Sequence, residues 1–342
     1  MATWLKFVGQ GPLWSISGGV EMADCRSRWW AYLMYLNNNI SNAQCMMQTW
    51  YLAVDMQLHC FALVLHVLLR GSAHKKTVLA AMFTVGVIIP GIQIYWQDLD
   101  GILMVVPEQA KILFATDATF TALARRWHTN VASYVAGMAL GYFVYRCQKN
   151  NVHFDQYKNY KYRVLYWAIF PLMLAIILSG GVFYRDSPRD PLYIRLLYGT
   201  VAKPLFGVLM ALLICGMIFK MESFYRCIVE WRVWAVPGRL AYCMFLVHFA
   251  FFRIHVSTAT SLVTMGPYDG LVTFARVCAA SLGCAVPLWV LVEAPFTQLT
   301  KYLYHIADQR RQHYQPDDNN TQKSVKCESD LHTKGSVPSY KK

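Results

Sequence analysis

Seven stretches of about 20 mostly apolar residues, each set off from the next by charge, Pro or Gly, constrain this chain more than any other feature. They fall at 49-70, 76-96, 128-146, 164-183, 199-219, 237-256 and 272-293. A helix rises about 1.5 Å per residue, so each run matches a hydrocarbon core about 30 Å thick. Lipid offers no partner for a free backbone N–H or C=O, so such runs must be helical. The fold class predicted is all-α: a polytopic transmembrane helix bundle of about seven spans. Composition agrees, with 56% of residues hydrophobic and 15% charged, where a soluble domain carries about a quarter charged. The net charge of +13 would suit nucleic acid, but the Lys and Arg cluster in loops beside apolar runs. That pattern reports orientation in a bilayer and argues against nucleic acid as a partner.

Alternate loops carry the basic excess: Arg70, Lys75 and Lys76; then Arg146, Lys149, Lys158, Lys161 and Arg163; then Lys220, Arg226, Arg232 and Arg239. With the basic tail they place the C-terminus in the cytosol and residues 1-48 in a lumen or outside the cell, at the plasma membrane or an endomembrane. Residues 1-20 show no signal-peptide core, since Lys6, Gly9, Gln10, Gly11 and Pro12 interrupt it. A lumenal start without a signal is most simply explained if helices upstream are missing. Cys25 and Cys45 then lie where disulfides persist, and either a bridge or two free thiols is open. Asn39-Ile40-Ser41 is a glycosylation acceptor pattern on the same side. Residues 301-342 turn polar and basic, with too few apolar side chains to offset ordering entropy, and are predicted to be a disordered cytosolic tail.

Ionisable groups inside apolar runs are costly and mark candidate sites. Asp55 and His59 stand four apart on one helical face, with His66 two turns on and Gln57 to one side. A carboxylate beside an imidazole can orient it or relay its proton, or the pair can simply lock two helices together. His248 lies near the middle of the sixth run, and Glu293-Ala294-Pro295 closes the seventh, where Pro295 is expected to stop the helix. Lys203 is placed to snorkel to the lumenal interface. Spacing assigns no Ser/His/Asp triad, no phosphate-binding Gly loop and no metal-ligand set.

A longer series of residues carries a resemblance. Gly11-Pro12-Leu13-Trp14, Cys25, Trp29-Trp30, Leu36-Asn37-Asn38, Cys45 and Trp50 through Gln57 occur in order. They are followed by Tyr134-Val135-Ala136-Gly137-Met138-Ala139-Leu140-Gly141-Tyr142, Leu240 through His248, and Glu293-Ala294-Pro295. The series resembles the nose-resistant-to-fluoxetine proteins of animals, a branch of the acyltransferase-3 membrane superfamily, over residues 9-300. The resemblance implies transfer of an acyl group from cytosolic acyl-CoA, a co-substrate rather than a bound cofactor, to a hydroxyl-bearing acceptor. Trp50-Tyr51-Leu52-Ala53-Val54-Asp55 would match a signature whose acidic residue Asp55 replaces, one methylene shorter. Asp55, His59 and His248 would then serve catalysis, and Trp50, Tyr51, Gln57 and Glu293 would line the substrate site. Two departures accompany it. The superfamily's first catalytic helix, with its His, has no counterpart here, and Asn130 stands where an Arg is expected.

Two other classes compete. A lipid or drug transporter would use the same acid and imidazole groups as a proton relay. A seven-helix receptor is disfavoured, because the third run ends Gly141-Tyr142-Phe143-Val144-Tyr145-Arg146 and the last offers only Ala285-Val286-Pro287.

Overall fold

The computed structural model describes residues 14–71, 73–105, 116–151, 160–184, 190–258 and 266–313, with Phe7 and Phe114. The described residues are helical, without strands. Two compact units divide the chain, residues 1–281 and 282–342.

The first unit opens with α1 (Trp14–Leu33), a helix of mixed polarity that the apolar-run criterion passed over. Helices α2 (Trp50–Leu68), α3 (Lys75–Gln97) and α4 (Val131–Lys149) follow. Next come α5 (Tyr160–Trp167) and α6 (Ile169–Ser179), two pieces of one crossing. The break at Ala168 has a local cause: Pro171 lacks the N–H that would bond the Trp167 carbonyl. Helix α7 (Leu192–Ile218) begins earlier than its apolar run predicted, short α8 (Phe224–Val229) leads to α9 (Ala235–Ser257), and α10 (Pro267–Leu288) crosses into the second unit.

Among the described residues, six helices are long and apolar enough to cross a membrane, at Met47–Leu68, Lys75–Gln97, Tyr162–Tyr184, Leu192–Ile218, Arg226–Val256 and Pro267–Arg310. The protein is an integral, multi-pass membrane protein. The seventh predicted run, 128-146, forms α4, which matches a span in length but not in apolarity. Its setting supplies the reason. Helix α4 packs against both α3 and α7, so protein rather than lipid lies against one side of it, and Ser133 and Tyr134 are tolerated there. These three helices approach closely through small residues, as helices in lipid do. A Cβ on Gly86 of α3 would lie 2.7 Å from the Ala132 backbone nitrogen, and one on Gly207 of α7 would lie 3.0 Å from Ser133 Oγ.

In the second unit the chain passes from α10 through a π-helical turn, Trp289–Glu293, into α11 (Ala294–His313). Pro295 therefore does not stop the helix. It sits in the first turn of α11, where a missing N–H matters least, and the wide π-turn accommodates the register. Residues 301–313 of the predicted tail are accordingly helical, and 314–342 lie outside the described residues.

Candidate functional site

The segment joining α1 to α2 forms a cap held by a disulfide and by side chains of α1. Cys25 and Cys45 are disulfide-bonded, with Cα atoms 4.9 Å apart. Around them the acids of α1 hold the following loop. Asp24 Oδ2 accepts hydrogen bonds from the backbone N–H groups of Cys45 (2.8 Å) and Gln44 (2.9 Å) and from the Tyr32 hydroxyl (3.0 Å). Burial, reinforced by Asp24, pushes the Tyr32 phenol up, so it stays a donor. One turn earlier, Glu21 is fully buried; its Oε1 accepts from the Met46 N–H and its Oε2 from Arg253 Nε, at 3.1 Å each. Arg253, a cation within the apolar run 237-256, is thus paired across the fold.

A second layer of the cap rests on α2. Asn38 and Gln57 form a reciprocal amide pair at 2.9 and 3.0 Å, and Gln57 Nε2 also donates to the Tyr35 carbonyl at 2.7 Å. Gln57 therefore ties the cap to α2. Arg125, 2% exposed, donates through Nη2 to the carbonyls of Asn37 (2.7 Å) and Ile40 (3.2 Å). Burial lowers its pKa from the ordinary arginine value, with Arg126 adding to the effect. Asn130, at the expected Arg position, donates to the carbonyls of Arg126 (2.6 Å) and Ala124 (3.1 Å) and so caps the turns that lead into α4. Asn39 is exposed, and its side-chain oxygen accepts from Arg126 at 2.7 Å.

Tyr51, Asp55, His59 and His66 lie along one exposed face of α2. The Tyr134 hydroxyl of α4 approaches His59 Nδ1 at 3.4 Å and lies within electrostatic range of Asp55. The Tyr134 phenol thus contacts the imidazole and feels the charge of the acid without a hydrogen bond to it.

His248 is half-buried on α9, with its Nδ1 2.8 Å from the Phe245 carbonyl oxygen. A carbonyl can only accept, so Nδ1 is the donor of this contact and Nε2 is the ring atom left for a second partner. Phe245 and Phe249 flank the imidazole, at centroid separations of 5.8 and 6.3 Å, and Tyr51 packs edge-on to Phe245 at 6.2 Å. Trp50 meets Phe120 edge-on at 5.7 Å. Gln48 Nε2 donates to the Leu246 carbonyl at 3.0 Å, docking the start of α2 on the middle of α9. The geometry brings Trp50, Tyr51 and His248 into one aromatic neighbourhood, with Asp55 one turn further along α2. Glu293 ends the π-turn of the second unit. Among the described residues, no three or more His, Cys, Asp or Glu side chains converge as metal ligands would.

The chain is similar to "Nose resistant to fluoxetine protein 6" of Caenorhabditis elegans, with 21% identity over 261 residues. It is a distant relative of that protein. The match covers 72% of this chain and 30% of the nematode protein, so the chain spans less than a third of its relative's length. No protein-family profile and no solved structure matches.

Glu21, Asp24, Arg125 and Tyr134 also belong to this region, though the apolar runs do not point to them. The acids sit at i and i+3 beside Cys25, which is a local signal for one loaded helix face. Arg125 and Tyr134 give no such signal, because their partners lie far away in the chain.

Proposed function

We propose that the chain belongs to the acyltransferase-3 superfamily and takes part in moving an acyl group from acyl-CoA to a hydroxyl acceptor within the membrane. The observation that carries this reading is the setting of His248: its Nδ1–H is committed to the Phe245 carbonyl, which leaves Nε2 to act as a base, and Phe245 links the imidazole to Tyr51 of α2. In the reaction Nε2 takes the acceptor hydroxyl's proton while that oxygen attacks the thioester carbonyl. The C–O bond forms, the C–S bond breaks, and the proton passes to the departing CoA thiolate. Asp55, His59 and Tyr134 supply a relay or orienting group along α2, and Gln57 holds the cap on the same helix. The basic ends of α3 and α4 face the cytosolic acyl-CoA, and the disulfide-bonded cap faces the lumen or the cell exterior.

The test is incorporation of label from radioactive palmitoyl-CoA into ester products by membranes containing the chain. Loss of a general base costs about 10²–10⁴-fold in rate, so His248→Gln should abolish the signal over empty membranes, and Asp55→Ala should reduce it. Turnover unchanged in both variants removes these residues from the site. Label that moves across the bilayer without any esterified product favours lipid transport instead.

A further inference from the structure

Below the tight contacts at Gly86–Ala132 and Gly207–Ser133, helices α3, α4 and α7 separate and leave a cavity of about 900 Å³. Its walls are apolar, formed by residues such as Leu79, Phe83, Leu140 and Leu212. Polarity is concentrated at one end, where Lys76, Arg146 and Asn150 form the rim and no carboxylate is present among the lining residues. Arg146 is held over the Tyr142 ring, with 5.8 Å from its guanidinium carbon to the ring centroid. Lys75 and Lys149 adjoin the rim in sequence and add to the positive field.

The depth of the cavity is set by the helix. From Val135 to Arg146 the wall rises about 16 Å at 1.5 Å per residue, close to half of a hydrocarbon core about 30 Å thick. It is therefore one leaflet deep, closed by the glycine contacts near mid-membrane and open at the cationic end. A space lined this way, beside lipid, suits an alkyl chain, and two cations without a carboxylate suit a phosphate at the headgroup level.

We propose that this cavity holds an acyl chain of an anionic phospholipid from the leaflet on the basic side, with the headgroup phosphate between Lys76 and Arg146. The assignment does not rest on acyl transfer, since none of these residues belongs to the His248 neighbourhood. The chain, purified in mild detergent, would be titrated with palmitoyl-oleoyl phosphatidylserine or phosphatidylcholine and examined by native mass spectrometry. Roughly tenfold preferential retention of the serine lipid is expected, given two cations at the surface. The double variant Lys76→Gln/Arg146→Gln should bind both lipids equally, and Ala211→Trp, which fills the wall, should retain neither. An independent reading uses Cys147 and Cys215, which line the same walls. Their alkylation by N-ethylmaleimide, mapped by peptide mass spectrometry, should slow in phosphatidylserine nanodiscs relative to phosphatidylcholine nanodiscs. Equal retention of the two lipids by the wild type, or equal alkylation rates, overturns the proposal. So does retention of palmitoyl-CoA in preference to phosphatidylserine with the same dependence on the two cations, which would assign the cavity to the soluble thioester.

Discussion

At the scale of single residues, the strongest commitments lie between groups remote in sequence. Glu21 is fully enclosed and Arg253 nearly so, 3.1 Å apart. Removing one partner of such a pair strands the other's charge in a dry setting, at a cost of about 3–5 kcal/mol. Glu21→Ala or Arg253→Ala should therefore lower the thermal midpoint in detergent sharply, whereas Glu21→Met/Arg253→Met should recover much of the loss. A double variant no better than either single one would show that the pair is not the source of the effect. At the opposite end Glu222 is enclosed by donors. Burial alone would raise its pKa, but hydrogen bonds from Arg163, the Phe224 N–H, the Trp167 indole and the Ser223 N–H win and bring it from 4.5 to about 2. A depressed carboxylate stabilises the fold at pH above its unfolded value, and the contribution fades as pH falls from 4.5 towards 2. The stability gap between wild type and Glu222→Gln should accordingly be constant above pH 5 and close on acidification, as read from midpoints across pH. A gap independent of pH would mean that ionised Glu222 contributes nothing.

At the scale of elements, the spans were legible because bilayer physics leaves a segment such as 76-96 little alternative to a helix; α3 occupies Lys75–Gln97. The run 128-146 was legible as the helix α4 but is less apolar than the other runs, since a helix packed against α3 and α7 can carry Ser133 and Tyr134 near its start. Helix α1 was illegible: Glu21, Asp24 and Arg28 look like ordinary surface charge until the loop they hold is in place. At the candidate site, the i,i+4 rule grouped Asp55 with His59, but nothing local could reveal that Gln57 binds Asn38, or that Tyr134 on another helix reaches His59. The glycines of α3 and α4 give a discriminating test of packing. A methyl on Gly86 would press on the Ala132 backbone at 2.7 Å, whereas one on Gly137 meets nothing within 4 Å. Overpacking costs about 1–3 kcal/mol, while Gly→Ala in an open helix gains up to about 1 kcal/mol. Gly86→Ala should thus unfold earlier on heating and Gly137→Ala should not. The reverse order would contradict the α3–α4 contact.

At the scale of the whole molecule, sidedness connects the cap, the cationic rim and the direction of any acyl or lipid traffic. The Cys25–Cys45 bridge closes a loop with a sequence separation of 20, and bridges of this kind persist only where thiols are not kept reduced. The exposed Asn39 lies in the same cap, as the acceptor of an Asn-Ile-Ser pattern. Helix α2 leads from the cap to the opposite end, where Lys75, Lys76, Arg146 and Lys149 gather. A disulfide at one end and the Lys75–Lys149 cluster at the other are what the proposed orientation, with the cap lumenal or extracellular, would require. In intact microsomes or cells, the cap should resist a membrane-impermeant thiol reductant added from the cytosolic side. The chain should also carry a glycan removed by peptide N-glycosidase, and Asn39→Gln should migrate as the deglycosylated form. Cys25→Ser should lower stability by about 3 kcal/mol, as loss of a loop of this size implies, and leave Asp24 without a fixed loop to bind. Reduction of the bridge from the cytosolic face without permeabilisation would reverse the orientation and move the Lys76–Arg146 rim to the lumenal leaflet.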